Sequence, residues 1–185
     1  MNEVHAVKDI NILKSIPSLL TKHYGEQMAD IWEFGINVAI RISDTLNIKI
    51  TDIENGRLKV TESKTGKVAD ISLNDKAMTI VNKIKSKHTD AIYLFQSRSS
   101  RNVTSRTKSL SRQAVTIAFK GIGDIIGVKL GTHSMRKTRG YHLYKKTNDI
   151  TRVAAMLRHS STAVTMRYIG ITQDDIDNDF NELVL

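Results

Sequence analysis

Residues 132–168 read THSMRKTRGYHLYKKTNDITRVAAMLRHSSTAVTMRY. Short side chains that can cap free backbone N–H groups punctuate this stretch and predict three successive helices. Thr132 opens the first, through about Lys145. Asp149 opens the second, with Ile150, Val153 and Leu157 facing the core. Ser160 or Ser161 opens the third, which carries Tyr168. Polar residues that bear chemistry recur along it: His133-x-x-Arg136, then His159, then Tyr168. On a helix, His133 and Arg136 share a face and can approach one phosphate together.

Helical periodicity also dominates upstream. Met28, Ile31, Trp32, Gly35, Val38, Ala39, Ile42 and Leu46 recur at three- and four-residue steps. They predict one long helix, with Arg41 late on it beside the buried stripe. Between Ile48 and Leu73 the period changes. Ile48-Lys-Ile50 alternates, Leu58-Lys-Val60 alternates after the Asn55-Gly56 turn, and Val68 to Leu73 reads as a third strand. Thr65-Gly66 makes the second hairpin turn, with Lys64 and Lys67 beside it.

Helix returns from Asp75 to about Lys87, with Ala77, Ile80, Val81 and Ile84 inward. Ala91 to Phe95 is a short buried extended piece, and Ser111 or Gln113 opens a helix to about Ile122. The expected fold class is α+β, mainly α-helical with a small three-stranded antiparallel sheet. One domain spans 1–185, of which about 174–185 is an amphipathic tail with Ile176, Phe180, Leu183 and Val184 on one side.

The charge points to the partner. Lys plus Arg number 28 and Asp plus Glu 19, a net +9. Five of those acids lie after residue 170, where there is no Lys or Arg, so residues 1–170 carry +14. A cationic body of this kind attracts polyanions, nucleic acid above all. From Gln96 to Arg112 the chain is rich in Ser and Thr, with Arg98, Arg101, Arg106, Lys108 and Arg112 and no acid: a solvated loop, or a phosphate contact. The absence of cysteine excludes a disulfide framework, thiolate zinc sites and thiol nucleophiles. No signal peptide and no run long enough to span a membrane are present, so a cytoplasmic, DNA-associated protein is expected.

Singly, a tyrosine near a helix end is a packing residue and a histidine beside an arginine a cap. As a set, Tyr168, Arg41, Arg136, Lys64, His133 and His159 suit attack of a phenolic oxygen on a phosphodiester. Cations would absorb the charge of the pentavalent transition state, with no metal and no cofactor.

The surrounding boxes resemble the catalytic domain of the tyrosine recombinases (phage integrases). Ala39-Ile-Arg41-Ile-Ser-Asp44-Thr-Leu46 resembles the family's first arginine box, and Thr132-His133-Ser-Met-Arg136 its His-x-x-Arg box. Leu157-Arg-His159-Ser-Ser-Thr162 resembles its Leu-Gly-His-Ser box, with Tyr168 nine residues beyond the histidine. Glu62-Ser-Lys64-Thr-Gly66-Lys67 resembles the hairpin that bears its lysine, and the residue before Thr-Gly favours Lys64 over Lys67. The order holds over roughly residues 8–180.

The resemblance implies that Tyr168 forms a covalent 3′-phosphotyrosine on double-stranded DNA. Arg41, Arg136 and His159 would hold the phosphate, Lys64 would protonate the departing 5′ oxygen, and His133 would act as base or proton shuttle. It also implies a tetramer assembled on DNA, with accessory DNA-bending or directionality factors. An N-terminal core-binding domain is expected to be absent from this sequence, either excised or naturally missing.

Four departures stand out. Arg158 replaces a usual glycine, adding a phosphate contact or altering the backbone. Asp44 replaces Glu, as an acid that orients a neighbouring catalytic group or as a surface acid or cap. Lys137 stands where His is common, and Asn148 where Gly is, a left-handed position Asn can fill. The alternatives are DNA relaxation of the type IB topoisomerase kind, and a non-catalytic DNA-binding regulator or remnant of a mobile element.

Overall fold

The structure, a computed structural model, describes residues 4–98, 107–172, 175, 177, 181 and 182. Asp9 accepts hydrogen bonds from the N–H groups of Asn11 and Ile12 and opens α1, Ile10–Tyr24. The sequence reading assigned no element there. Gly25, at φ +90°, turns the chain into α2, Glu26–Val38.

The long helix expected from Met28 to Leu46 is interrupted. Ala39 takes the left-handed conformation (φ +52°), and Arg41 stands extended at the entrance to α3, Ile42–Leu46. Apolar spacing cannot show this break, because Ile40, Ile42 and Leu46 stay buried across it. Arg41 therefore projects from a helix entrance and not from a helix face.

The sheet is three-stranded and antiparallel as expected, in the order β1 (Ile53–Glu54), β2 (Arg57–Thr61), β3 (Val68–Ser72). Asn55 and Gly56 (φ +49° and +71°) form the tight left-handed turn that suits strand twist. One strand was misplaced. Lys49 is extended and bridges Tyr93, while Ile50 already opens a short 3-10 turn: Ile50 N–H donates to Ile92 O at 2.9 Å, and Leu94 N–H to Ile48 O at 2.9 Å. The piece expected to be buried and extended, Ala91 to Phe95, is so only in part: Tyr93 bridges Lys49, Leu94 and Phe95 are buried in a turn, and Ile92 is exposed; β1 follows one short turn after Lys49.

The remaining helices are α4 (Asp75–Lys87), α5 (Arg112–Ile126), α6 (Ser134–Thr147), α7 (Ile150–Leu157) and α8 (Thr162–Ile169). Ser111, Asp149 and Ser161 cap α5, α7 and α8 through their side chains. The first turn of α6 starts later than expected, with His133 and not Thr132 at its N-cap. Asn148 closes α6 at φ +50°, the left-handed role expected of it.

Two apolar clusters hold these elements. The larger centres on Trp32 and Phe119, edge to face at 5.1 Å, and on Phe34 and Phe95 at 5.6 Å. The smaller gathers Ala6, Ala39, Tyr141, Val153, Leu157 and Ile169, with Tyr168 packed on it. The four apolar tail residues named above lie outside the described residues, as do Arg101 and Arg106. Among the described residues no helix is long and apolar enough to cross a membrane.

Gly140 sets the seat of α8. A Cβ there would lie 2.7 Å from Ile169 Cγ2 and 3.3 Å from Leu157 Cδ1. Gly140→Ala is therefore expected to push α8 off α6 and to lower stability by about 1–3 kcal/mol, the usual cost of overpacking. A thermal melt checks this; an unchanged midpoint would mean that α8 shifts freely.

Candidate active site

Arg136 is the centre of the arrangement. It is 2% exposed, yet it carries a charge that burial penalises heavily. The fold meets that cost with backbone. Arg136 Nη1 donates to Ala39 O at 2.7 Å, and Nη2 donates to Leu157 O. Those carbonyls belong to the C-terminal ends of α2 and α7, where helix carbonyls lack partners within the helix and carry partial negative charge. The left-handed turns at Ala39 and Arg158 end those two helices. One guanidinium thus caps two helices and fixes α2, α6 and α7 relative to one another.

The second element is Glu62, which the sequence reading did not single out. It is fully buried. Its Oε2 accepts from Arg41 Nη1 at 2.9 Å and from Thr65 Oγ1 at 3.0 Å. Its Oε1 accepts from Arg158 Nη2 at 2.8 Å and stands 3.5 Å from Arg136 Nη1. Burial works to raise its pKa, but the guanidinium of Arg158, the Thr65 hydroxyl and the charge of Arg41 outweigh it and hold it at about 2. Strand alternation carried the signal for Glu62: one residue past β2, it continues the period-two series of Leu58 and Val60.

Tyr168, half-buried on α8, meets three other site side chains. Its hydroxyl lies 3.5 Å from His133 Nδ1, its ring meets the His159 ring edge to face at 5.0 Å, and Lys137 Nζ lies 5.3 Å above its ring. Burial raises the phenol pKa, while the charges of Arg136 and Arg41 and a hydrogen bond from Arg136 oppose the rise. The pKa of His133 is lowered by partial desolvation, then by the positive charges of Arg112, Arg136, Lys137 and Arg41.

Burial and then the fields of Arg136 and Arg41 bring the pKa of His159 down to about 4, so both histidines are neutral near pH 7. Thr165 Oγ1 donates to Ser161 O at 2.7 Å. Its one proton being placed there, His159 Nδ1 is the donor of the 3.1 Å pair with Thr165, and Nε2 keeps its lone pair.

Five of the six expected residues, Arg41, His133, Arg136, His159 and Tyr168, thus converge. Lys64 does not join them. It is exposed on the turn after β2, and among the described residues it makes no hydrogen bond or ion pair with the others. Its neighbour Lys67 reaches Arg158 O at 3.5 Å. Asp44 is buried, and its Oδ1 accepts from Ser63 N–H at 3.0 Å and Ser63 Oγ at 2.7 Å. It anchors the base of the Lys64 hairpin. Arg158 keeps a glycine-like φ of +55° and turns its guanidinium inward to Glu62. Among the described residues no cluster of His, Asp and Glu is able to hold a metal ion.

A family model described as "Phage integrase family" matches residues 14–174. The probable integrase/recombinase YoeC of Bacillus subtilis is 35% identical over 174 residues, covering 92% of this chain and 93% of that protein. Among solved structures, the XerA recombinase superposes with a TM-score of 0.72 at 16% identity, over 98% of this chain and 65% of that one. The lambda integrase tetramer bound to a Holliday junction gives 0.69 at 19% identity, over 91% of this chain and 49% of that one. The chain therefore spans about half to two thirds of those crystallised recombinases, whose catalytic-domain fold it shares.

The electrostatics predict a two-stage acid response. His159 has a folded pKa near 4, below its ordinary 6.5, so its contribution is present at neutral pH and is lost as pH falls from about 6.5 to 4. Glu62 has a folded pKa near 2, below its ordinary 4.5, so its contribution is lost between those values. Melting temperature measured against pH should fall in both windows, and His159→Asn should flatten the upper one. A melting temperature that rises on acidification through pH 6.5–4 would contradict the assignment.

Proposed function

Because the chain belongs to the phage integrase family, we propose that it is a site-specific tyrosine recombinase, cutting and rejoining double-stranded DNA through a 3′-phosphotyrosine. One observation carries the reading. The Tyr168 hydroxyl lies 3.5 Å from the Nδ1 of a neutral histidine, in the field of the buried Arg136 guanidinium. Nucleophile, base and charge are adjacent before any DNA arrives.

The Tyr168 oxygen attacks the phosphorus, and its proton passes to His133, whose lowered pKa keeps it neutral and able to accept. As the bond from phosphorus to the 5′ oxygen breaks, the 3′ end stays on the tyrosine and the leaving oxygen takes a proton from Lys64. The hairpin must move to deliver it. Arg41 and Arg136 place planar forks on the non-bridging oxygens, where negative charge grows.

His159 donates to the same phosphate once Nε2 holds a proton. Either the arriving anion raises its pKa, or the Thr165 hydroxyl turns to Nδ1. Rejoining is the reverse attack by a free 5′ hydroxyl. The phosphotyrosine conserves the bond energy, so no nucleotide is consumed. The basic surface supplies DNA affinity, and a tetramer on DNA, as in the lambda integrase complex, supplies the second strand pair.

Nicked duplexes, selected from a random pool by binding to the wild-type chain, test this. Wild type should form an adduct that survives denaturation. Tyr168→Phe should bind the same DNA and form none. Arg41→Ala and Arg136→Ala should slow adduct formation by about 10²–10³-fold, the typical effect of losing a transition-state donor. An adduct with the Phe variant, or wild-type rates in both arginine variants, would sink the reading.

A further inference from the structure

Beside the six expected residues stands a charge pair that they do not use, Glu62 with Arg158. Glu62 immediately follows the strand that leads to Lys64, and Arg158 immediately precedes His159. Their 2.8 Å pair joins the lysine hairpin to the segment that carries His159 and Tyr168, and Lys67 Nζ reinforces it on the Arg158 carbonyl at 3.5 Å. Arg158 gives Glu62 Oε1 its short contact, whereas Arg136 stands 3.5 Å from the same oxygen. Both Arg41 and Arg136 are within reach of this carboxylate. A buried carboxylate that has lost one of its close cations draws more heavily on the positive charge that remains beside it. Here that charge is the two guanidinia that the phosphate needs.

We propose that Arg158 is a positioning residue for the phosphate site: it neutralises Glu62, so that Arg41 and Arg136 keep their charge for DNA, and it holds the Lys64 hairpin against the tyrosine segment. This rests on the recombinase reading above. Arg158 acts from within. Its guanidinium faces the carboxylate, and its side chain is 18% exposed. It is therefore not one of the groups that neutralise DNA phosphates.

The test compares wild type with Arg158→Gly, Arg158→Lys, Glu62→Gln and the Glu62→Gln/Arg158→Gly double variant. The adduct rate on saturating nicked DNA, the salt dependence of binding and the melting temperature are measured for each. Glycine takes φ +55° readily, so Arg158→Gly removes the guanidinium without straining the turn.

Arg158→Gly should lower the adduct rate by about 10-fold or more, within the range that coupled neighbours show in double-mutant cycles. Its binding should keep the wild-type salt slope. The double variant should recover to within a few-fold of Glu62→Gln alone, because the charge that needed neutralising is gone. Arg158→Lys, which keeps the charge, should recover most of the rate lost in Arg158→Gly.

A wild-type rate in Arg158→Gly overturns the proposal. So does a slow double variant, or a lysine variant as slow as the glycine one. A salt slope shallower by about 0.9 in Arg158→Gly would make Arg158 a direct phosphate contact instead. If Arg158→Gly melts below the assay temperature, the lysine variant and Glu62→Gln decide alone: lysine near wild type supports the charge role, and a tenfold loss overturns it. Failure of wild type itself to form an adduct would remove the recombinase reading and not this pairing.

Discussion

A guanidinium buried to 2% exposure is the constraint around which this chain is folded. Arg136 cannot be left without partners in a dry interior, and deleting one side of such an arrangement typically costs about 3–5 kcal/mol. Its partners come from three separate places: the end of α2, the end of α7 and the carboxylate just after β2. Each carries a local irregularity that exposes the acceptor. Ala39 and Arg158 leave their helices in the left-handed conformation, and Glu62 points an acid into the interior of a hairpin. The strain of two non-glycine left-handed residues, about 1–2 kcal/mol each, is offset where the carbonyls they leave open meet a charge.

The electrostatic consequence is a site that is cationic, while its two histidines are neutral. Burial and the arginines set those histidines low, and burial sets the phenol high. An arriving phosphate diester changes the balance, because its negative charge favours a protonated His159 and offsets the mutual repulsion of Arg41 and Arg136. Glu62, whose charge is shared with Arg158, balances only part of that repulsion before DNA arrives.

Much of this was legible in the sequence. Caps at Asp149 and Ser161, the Asn55-Gly56 turn and the period-two strands placed α7, α8 and the sheet, because each rests on a local rule with a local residue behind it. The spacing from His133 to Tyr168 brought its site residues together because α6, α7 and α8 are short and follow one another directly. The break at Ala39 was not legible. It is stabilised by a side chain 97 residues away, and the apolar period runs through it unchanged. The strand expected at Ile48 to Ile50 is a single bridge at Lys49 followed by a 3-10 turn, because its partner at Tyr93 lies beyond the whole sheet and a helix. Arg158 was visible as an arginine in a glycine's place, whereas Glu62 passed as one more residue of the lysine hairpin. Their pairing spans 96 residues and belongs to the tertiary structure alone.

The central claim is that one of the five tyrosines of this chain, Tyr168, attacks DNA phosphorus. The most direct measurement is to let the wild-type chain react with selected nicked duplex, digest protein and DNA, and locate the nucleotide-bearing peptide by mass spectrometry. The account predicts a 3′-linked nucleotide on Tyr168. A nucleotide on Tyr24, Tyr93, Tyr141 or Tyr144, or a linkage through the 5′ phosphate, would contradict it.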